Sequence, residues 1–226
     1  MTAAPFFRYF GSKWNLSRHY PPPARDTIVE PFAGSACYAT RYHDRSVLLV
    51  EKDHKIASVW RFLIGASRKD VLTLPVLEKG EKLSDYKQLS DVERWFLGLW
   101  INLSAGPRNV AQGGLTTDYL KRTSDNLFMI RHWQVIEGDY SVADNRLATW
   151  FIDPPYQSAK DKYTEGEIDY SHLAEWSRSR NGQVIVCEKH GANWLPFEPF
   201  REHTSQTSAR TSGRKKYFEA IWHKEE

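Results

Sequence analysis

A chain of 226 residues, 41% of them hydrophobic, is long enough to bury one large core or a core with a small insertion. Its formal net charge of +3 permits a nucleic-acid partner without requiring one. The two cysteines, Cys37 and Cys187, form no CxxC pair, which argues against a disulfide scaffold or a zinc site. With no signal peptide and no apolar stretch of membrane-spanning length, the sequence predicts a soluble, cytoplasmic protein that holds no metal.

The first part of the chain predicts alternating strands and helices. Pro21 to Pro23 separate an N-terminal arm from a short buried strand, DTIVEPF, which ends at Glu30. The segment GSACYATRYH turns and starts a helix, RSVLLVEKD is a second strand, and HKIASVWRFLIG is a helix with one apolar face. Strand, helix, strand and helix in this order predict a parallel α/β sheet with right-handed crossovers.

The pattern changes over residues 69–127, which we predict to be a mostly helical insert. LSDYKQLSDVERWFLGLWINL is mostly helical, with Ser90 or Asp91 as its N-cap, and SAGPRNVAQGG is a loop. The α/β pattern then resumes with WQVIEGDY, ATWFIDPPY and GQVIVCEKH. A hairpin closes the chain, so residues 1–68 and 128–226 are predicted to form one α/β domain.

Four acids fall at or near the carboxyl ends of predicted strands: Glu30, Glu51, Asp139 and Asp153. Open parallel sheets bind their ligands at this edge. A single acid in such a position is often a helix cap or a solvated turn residue. Four of them on one rim predict a binding site.

The turn EPFAGSA, which follows the first strand, favours a bound nucleotide-like cofactor. Gly34 and Ser35 let a ligand approach the backbone, and the next helix presents free N–H groups at its N-terminus. Glu51, about twenty residues further on, is placed to accept hydrogen bonds from ribose hydroxyls, with Asp53 as the alternative. There is no GxxxxGK[ST] phosphate loop, so an adenosine-bearing cofactor is favoured over ATP or GTP chemistry.

The segment DPPY, from Asp153 to Tyr156, suits the activation of an aromatic amine. The amino group of a nucleobase is a poor nucleophile because its lone pair is conjugated with the ring. Two acceptors, the Asp153 carboxylate and the Pro154 carbonyl, would draw this nitrogen towards a tetrahedral form, and Pro154 and Pro155 make both acceptors rigid. Tyr156 can stack on the base, which contributes roughly 1–3 kcal/mol. A proline turn that only ends a strand is the simpler alternative.

These motifs resemble, in the same order, those of the Dam-type adenine-N6 DNA methyltransferases. YFGSKWNL resembles the segment WAGGK of that family, VEPFAGSA its cofactor loop, and LLVEKDHKIASVW its segment LADINPDLI. LWINLSAGPRN faintly resembles part of the recognition insert, IEGDY resembles the GDF step, and SGRKKYFEAIWHKE resembles the closing hairpin. WFIDPPY matches the catalytic motif without change.

The resemblance implies a Rossmann-like methyltransferase sheet with helices on both faces and a small, mostly helical target-recognition insert. It implies that S-adenosyl-L-methionine donates a methyl group to N6 of an adenine flipped out of double-stranded DNA. It also implies a bacterial or phage protein that acts in the cytoplasm, as a monomer or weak dimer.

The resemblance assigns roles to particular residues. Lys13 would lie near the cofactor carboxylate or the flipped base, and Asp139 would touch the adenine of the cofactor. The expected catalytic residues are Asp153, Pro154, Pro155 and Tyr156. The expected cofactor-binding residues are Tyr9, Lys13, Glu30, Phe32, Ala33, Gly34, Ser35, Glu51, Asp139, Tyr140 and Asp153.

The chain departs from the family pattern in the cofactor loop. Ser35-Ala36 replaces a run of glycines, Gly11-Ser12 replaces Gly-Gly, and Glu51 replaces a shorter Asp. The insert matches poorly, so the target sequence of the family does not carry over.

Basic residues in the insert and the closing hairpin predict contacts with DNA phosphates. Arg108 is the best candidate for a base contact, because bidentate contact of Arg with guanine is the commonest specific contact. Trp100 and Asn102 are candidates for a wedge into the duplex. Solvated surface charge is the simpler alternative for each basic residue. The expected DNA-binding residues are Arg108, Asn109, Lys121, Arg122, Arg214 and Lys215.

Three other functions stay open. A cytosine-N4 methyltransferase tends to carry Ser at the position of Asp153, which favours adenine here. An RNA adenine methyltransferase fits the arm and motif order less well, and the altered cofactor loop keeps open a catalytically inactive DNA-binding homologue. Cytosine-C5 methylation is disfavoured because it needs a Cys nucleophile, usually after Pro, whereas Cys37 follows Ala36 and Cys187 follows Val186.

Overall fold

A seven-stranded sheet organises the chain in a computed structural model that describes residues 3–101, 106–158, 168–204 and 216–225. The strands are β1 (Thr27–Glu30), β2 (Ser46–Glu51), β3 (Gln134–Glu137), β4 (Ala148–Ile152), β5 (Gly182–Lys189), β6 (Glu198–Thr204) and β7 (Lys216–Lys224). The α-helices of the described residues are α1 (Trp14–Ser17), α2 (Cys37–Arg41), α3 (His54–Gly65), α4 (Arg68–Leu72), α5 (Asp91–Ile101), α6 (Thr117–Asn126) and α7 (Tyr170–Arg178).

The strand order, β3-β2-β1-β4-β5-β7-β6, confirms the predicted Rossmann-like sheet. The first five strands in the chain pair in parallel, and β7 pairs antiparallel with both β5 and β6. The chain builds outwards from β1 to β3, then returns to the other side of β1 with β4. Ligands of such sheets bind at the carboxyl ends of the strands where the order reverses, which is here between β1 and β4.

Helices cover both faces of the sheet, as predicted. On the first face, Leu49 and Phe151 join a core that includes Trp60 of α3. On the second face, Trp150 meets Trp176 of α7 edge to face, with 5.6 Å between ring centroids. Neighbouring residues of one strand point to opposite faces, so burial on both sides requires the nearly continuous apolar strands that the sequence contains.

The N-terminal arm is packed into the core of the first face. Phe7 lies against Trp60 with 5.1 Å between ring centroids, and Tyr20 lies against Phe151 at the same distance. Tyr20 also stacks on Phe200 of β6. The arm therefore spans the first face from α3 to the far edge of the sheet.

The segment between α3 and β3 carries helices α4 to α6 and packs on the same face. Phe96 of α5 lies 6.1 Å from Phe62 of α3, measured between ring centroids. Ser90 is the N-cap of α5: its backbone N–H donates to the Glu93 carboxylate at 2.7 Å, and its Oγ accepts from the Glu93 N–H. This reciprocal pair is the capping box that the sequence SDVE permits.

Within the described ranges, every helix is either too short or too polar to cross a membrane.

Gly98 of α5 supports the loop that carries Arg108. A Cβ on Gly98 would lie 2.5 Å from the Arg108 carbonyl oxygen. We expect Gly98→Ala to lower the free energy of unfolding by about 1–3 kcal/mol, because the clash with backbone exceeds the gain in helix propensity. Urea unfolding followed by circular dichroism measures the change.

Gly65→Ala, at the end of α3, is the matched control. No atom lies within 4 Å of a Cβ at Gly65, so this variant should be neutral or slightly more stable. Equal stabilities for the two variants would show that the Arg108 loop does not rest on α5.

Candidate active site

The predicted acids lie along the carboxyl edge of the sheet. Glu30 is the last residue of β1, Glu51 the last of β2, and Asp153 follows β4 directly. Asp139 follows β3 and begins a short 3-10 turn. Glu30 and Asp153 flank the point where the strand order reverses, so the centre of this edge lies between them.

A buried ion pair occupies this centre. The Lys13 ammonium lies 3.0 Å from Asp153 Oδ1 and donates to the Gly11 carbonyl at 3.1 Å. It also lies 4.6 Å from the centroid of the Tyr156 ring. The Lys13 side chain is 9% exposed, whereas that of Asp153 is 20% exposed although Oδ1 itself is shielded from solvent. The exposed part of the Asp153 side chain therefore lies outside Oδ1, the oxygen that pairs with Lys13.

The charges in this pair act on each other. Burial raises the pKa of Asp153 to about 6, although the Lys13 ammonium opposes that rise. Burial alone would lower the pKa of Lys13, but the carboxylates of Asp153 and Glu219 outweigh it and raise that pKa above its ordinary value. Lys13 is therefore a permanent cation, and Asp153 is mostly ionised at neutral pH.

Glu219 of β7 is a member of the site that the sequence motifs do not reveal. It is 1% exposed, and its Oε1 accepts hydrogen bonds from the hydroxyls of Tyr20, at 3.0 Å, and of Tyr156. The same oxygen lies 3.9 Å from the Lys13 ammonium. The available signal is a single acid between Phe218 and Ala220 in a strand that is otherwise apolar at its centre.

Asp153, Glu219 and Cys187 also satisfy the geometry of a metal site. One ligand atom from each lies within 4.8 Å of the other two. The Lys13 ammonium is already paired with both carboxylates, so a metal ion would have to compete with a built-in cation. The expectation that the protein holds no metal stays a prediction.

Hydrogen bonds hold the residues of the DPPY motif that follow Asp153. The Tyr170 hydroxyl, at the start of α7, donates to the Pro155 carbonyl at 2.6 Å. The Gln157 N–H donates to Glu188 Oε2 at 3.1 Å. No residue of the described segments donates to the carbonyl of Pro154, which is itself a buried residue.

The turn after β1 has the tight geometry expected of a cofactor loop. Gly34 has φ of +45° and Ala36 has φ of +43°, both in the left-handed region. A Cβ on Gly34 would lie 3.2 Å from the Tyr9 ring, so only glycine fits here without displacing Tyr9. The Gly34 carbonyl accepts from Trp60 Nε1 at 2.8 Å, and the Ala33 N–H donates to the end of β2.

Two predicted ligand acids, Glu30 and Glu51, point at the backbone of this region. Glu30 accepts the Ala39 N–H at 2.6 Å and so caps α2, whose N-cap residue, Ala36, offers no side-chain acceptor. Burial raises the pKa of Glu30 to about 8. Glu51 accepts the N–H groups of Gly34 and Asp53, and burial raises its pKa to about 7.

The alternative ribose ligand, Asp53, is the N-cap of α3. It accepts the Lys55 N–H at 2.8 Å. Each of the two acids thus has a structural partner, and the assignment of the ribose contact to Glu51 stays a prediction.

Two residues expected to bind the cofactor, Phe32 and Tyr140, belong to an aromatic cluster next to Asp139, the residue expected at the cofactor adenine. Phe32 stacks on Tyr140 with 5.2 Å between ring centroids, and the Tyr140 hydroxyl lies 2.6 Å from His172 Nδ1. Asp139 accepts the Ser141 N–H at 3.1 Å. Ser35 is buried, with its Oγ 3.3 Å from Cys37 Sγ.

The predicted DNA-binding residues divide into exposed and engaged side chains. Arg108 is exposed, Asn109 accepts the Ser84 N–H at 2.8 Å, and Lys121 pairs with Asp125. Arg122 lies over the rings of both Trp100 and Tyr119. Trp100 is 4% exposed and packs in the core, which is not the position of a wedge residue. Asn102, Arg214 and Lys215 lie outside the described residues.

No family model matches the chain, and neither does any curated protein. Among solved structures, it is similar to a conserved hypothetical protein from Streptococcus pyogenes, with 11% identity, a TM-score of 0.36 and coverage of 86% of this chain and 84% of that one. It is also similar to the glycopeptide N-methyltransferase MtfA complexed with S-adenosyl-L-homocysteine, with 11% identity, a TM-score of 0.36 and coverage of 97% and 66%. Similarity at this level carries no argument about substrate.

The raised pKa of Glu30 predicts a pH-dependent stability. A carboxyl group that binds its proton more tightly when folded stabilises the protein fully below about pH 4.5, and this contribution is lost as the pH rises through about 8. Glu30→Gln keeps an acceptor for the Ala39 N–H but does not ionise. At about 1.4 kcal/mol per pKa unit, the free energy of unfolding of the wild type should fall by a few kcal/mol over this pH range because of Glu30. The variant should not show this fall.

Urea unfolding across this pH range measures the effect, and Glu175→Gln, an exposed acid on α7, is the control. Parallel stability curves for the wild type and Glu30→Gln would show that Glu30 does not titrate in the folded protein.

Proposed function

We propose that the chain is an S-adenosyl-L-methionine-dependent methyltransferase that acts on N6 of a flipped adenine in DNA. The observation that carries the proposal is the pair of acceptors in Asp153-Pro154, held beside a buried Lys13 where the strand order reverses. The bound cofactor would supply an electrophilic methyl group on a sulfonium. Everything else in the reaction falls to side chains and backbone atoms of this chain.

The two acceptors match the two N–H bonds of an exocyclic amine. Lys13 holds Asp153 Oδ1 from the buried side, which leaves the accessible side of the carboxyl group for one N–H. The Pro154 carbonyl would accept the other, and Tyr170 and Gln157 hold the residues after it. Acceptors fixed before the substrate arrives need no reorganisation during the reaction.

Methyl transfer by this route needs no covalent enzyme intermediate. S-adenosyl-L-methionine, when bound, would supply the methyl group: the amine lone pair would form the N–C bond, and the electron pair of the broken C–S bond would return to sulfur. The nitrogen, now positively charged, gives up one proton. Asp153, with a pKa of about 6, is positioned to accept that proton and pass it to solvent.

The charge of the site suits a cationic donor. Asp153 and Glu219 contribute two carboxylates, and Lys13 contributes one ammonium group. A net negative site attracts a sulfonium more strongly than the neutral thioether that remains after transfer. The same charges therefore favour binding of the methyl donor and release of the spent cofactor.

DNA as the substrate is supported by the sequence resemblance and by the exposed basic residues of the insert. Arg108 is exposed on a loop that rests on α5, and Arg122 is exposed on α6. Cationic side chains on this segment would neutralise phosphates of a duplex from which the target base is flipped out.

Asp153→Asn tests the proposal. We expect kcat for methyl transfer to fall by at least about 100-fold, because the amide replaces a charged acceptor aimed at the amine. The measurement uses S-adenosylmethionine with a tritiated methyl group, duplex DNA and digestion to nucleosides. Asp144→Asn is the control, since Asp144 is exposed and precedes β4 at the opposite edge of the sheet.

Label in N6-methyladenosine supports the proposal. Label in N4-methylcytosine would show that the target base is cytosine and not adenine. Transfer to RNA but not to DNA would show that the substrate is RNA. DNA binding with no transfer under any condition would identify an inactive homologue.

The pH dependence of transfer gives a second test. Ionised Asp153 is the stronger acceptor, and only the carboxylate can take up the proton that the amine releases, so the rate should fall as the pH drops through about 6, by about tenfold per unit further down. Lys13→Gln removes the cation that favours ionisation, and the acid limb of its rate profile should move to higher pH. Coincident limbs in a plot of kcat against pH would mean that Asp153 does not control the rate.

A further inference from the structure

We propose that Glu219 is a positioning residue, which holds the Lys13 ammonium and the Tyr156 ring in register with Asp153. Its effect on catalysis rests on the proposed function, whereas its effect on Lys13 does not. Nothing in the recognised motifs assigns a role to this residue, which lies in the strand of the closing hairpin.

The strand register brings Glu219 to the site. Ile221 of β7 pairs with Cys187 of β5, and Glu219 pairs with Lys189, so Glu219 and Ile221 share one face of the sheet. Cys187 belongs to the core of the first face. Asp153 lies two residues beyond Phe151, which faces the same core. Both acids therefore project towards the N-terminal arm that carries Lys13.

Three contacts converge on one oxygen of Glu219. The hydroxyls of Tyr20 and Tyr156 donate to Oε1, and the Lys13 ammonium lies 3.9 Å away. The first contact ties the arm to β7, and the second fixes the tyrosine of DPPY. Lys13 lies between Glu219 and Asp153 and over the Tyr156 ring, so its position is bounded on three sides.

The burial of Glu219 is costly for stability. A carboxylate that is 1% exposed loses its hydration, which is costly even where hydroxyl donors and an ammonium group lie close to it. An apolar side chain would hold two strands together at lower cost. The observation that an acid stands here, in contact with a residue of DPPY and with Lys13, points to a role in the site.

Glu219→Gln separates positioning by charge from simple packing. Gln keeps an oxygen for the two tyrosine hydroxyls but does not attract Lys13. Glu198→Gln, an exposed acid on the neighbouring strand β6, makes the same chemical change and is the control. Circular dichroism and thermal unfolding establish that both variants are folded.

The first readout does not require activity. Acylation of lysines with an excess of an N-hydroxysuccinimide ester, followed by peptide mass spectrometry, gives the reaction rate of Lys13 relative to that of the exposed Lys79. Only the neutral amine reacts, so loss of the Glu219 charge should raise the Lys13 rate, by about tenfold for each unit by which its pKa falls. Glu198→Gln should leave the rate unchanged.

The second readout is methyl transfer. We expect kcat to fall by about tenfold or more in Glu219→Gln while KM for DNA stays near the wild-type value, because a misplaced acceptor weakens the reaction more than binding. The acid limb of the kcat profile should also move to lower pH, since the Glu219 charge opposes ionisation of Asp153. The titratable groups around Asp153 are Lys13 and Tyr20 of the arm, Glu30 of β1, Tyr156, Cys187 and Glu188 of β5, and Glu219 itself.

The outcomes are distinguishable. Faster acylation of Lys13 with no transfer by the wild type would leave the role of Glu219 standing and overturn the proposed function. Unchanged acylation together with an unchanged pH limb would overturn the role of Glu219, whatever the activity. If Glu219→Gln does not fold, Glu219→Asp is the second variant, because its side chain is one methylene shorter and places the carboxylate further from Lys13. It should also raise the acylation rate of Lys13 and lower kcat.

Discussion

The ion pair between Lys13 and Asp153 is the interaction on which the candidate site depends. Two opposite charges removed from water cost several kcal/mol each to desolvate, and their attraction repays this only when the geometry is close and the remaining polar atoms are satisfied. Here the ammonium has a carbonyl, two carboxylates and an aromatic face around it. The pair holds Oδ1 on the buried side of the Asp153 carboxyl group.

The architecture explains why these groups meet. The parallel strands β1 and β4 deliver Glu30 and Asp153 to one edge, because the carboxyl ends of parallel strands lie together. The antiparallel strand β7 brings an acid from the end of the chain, and the N-terminal arm brings the cation from its beginning. Only the first of these three contributions follows from the parallel sheet alone.

The sequence predicted the sheet well because strand and helix periodicities are local signals. The runs around Val29, Leu49 and Phe151 are apolar at successive positions, as strands buried on both faces must be, and the acids that follow them mark the strand ends. Glu219 escaped prediction because its partners, Tyr20 and Lys13, come from the far end of the chain, and no local pattern encodes that contact.

The roles of Glu30 and Glu51 show a different limit of sequence reasoning. An acid at a strand end can bind a ligand or satisfy nearby N–H groups, and the residue type is the same in both cases. In this structure, Glu30 caps α2 and Glu51 holds the Gly34 turn. For Glu30, the role depends on whether α2 has a side-chain cap of its own. The structure shows that its N-cap residue is Ala36, in a left-handed conformation and without a side-chain acceptor.

The hydrogen bond between Tyr20 and Glu219 joins residues 199 positions apart in the chain. A nascent polypeptide that has emerged from the ribosome as far as β5 already contains Lys13 and Asp153, but it lacks the strand that completes their surroundings. The surroundings of the Lys13–Asp153 pair are therefore complete only when β7, which carries Glu219, has joined the sheet.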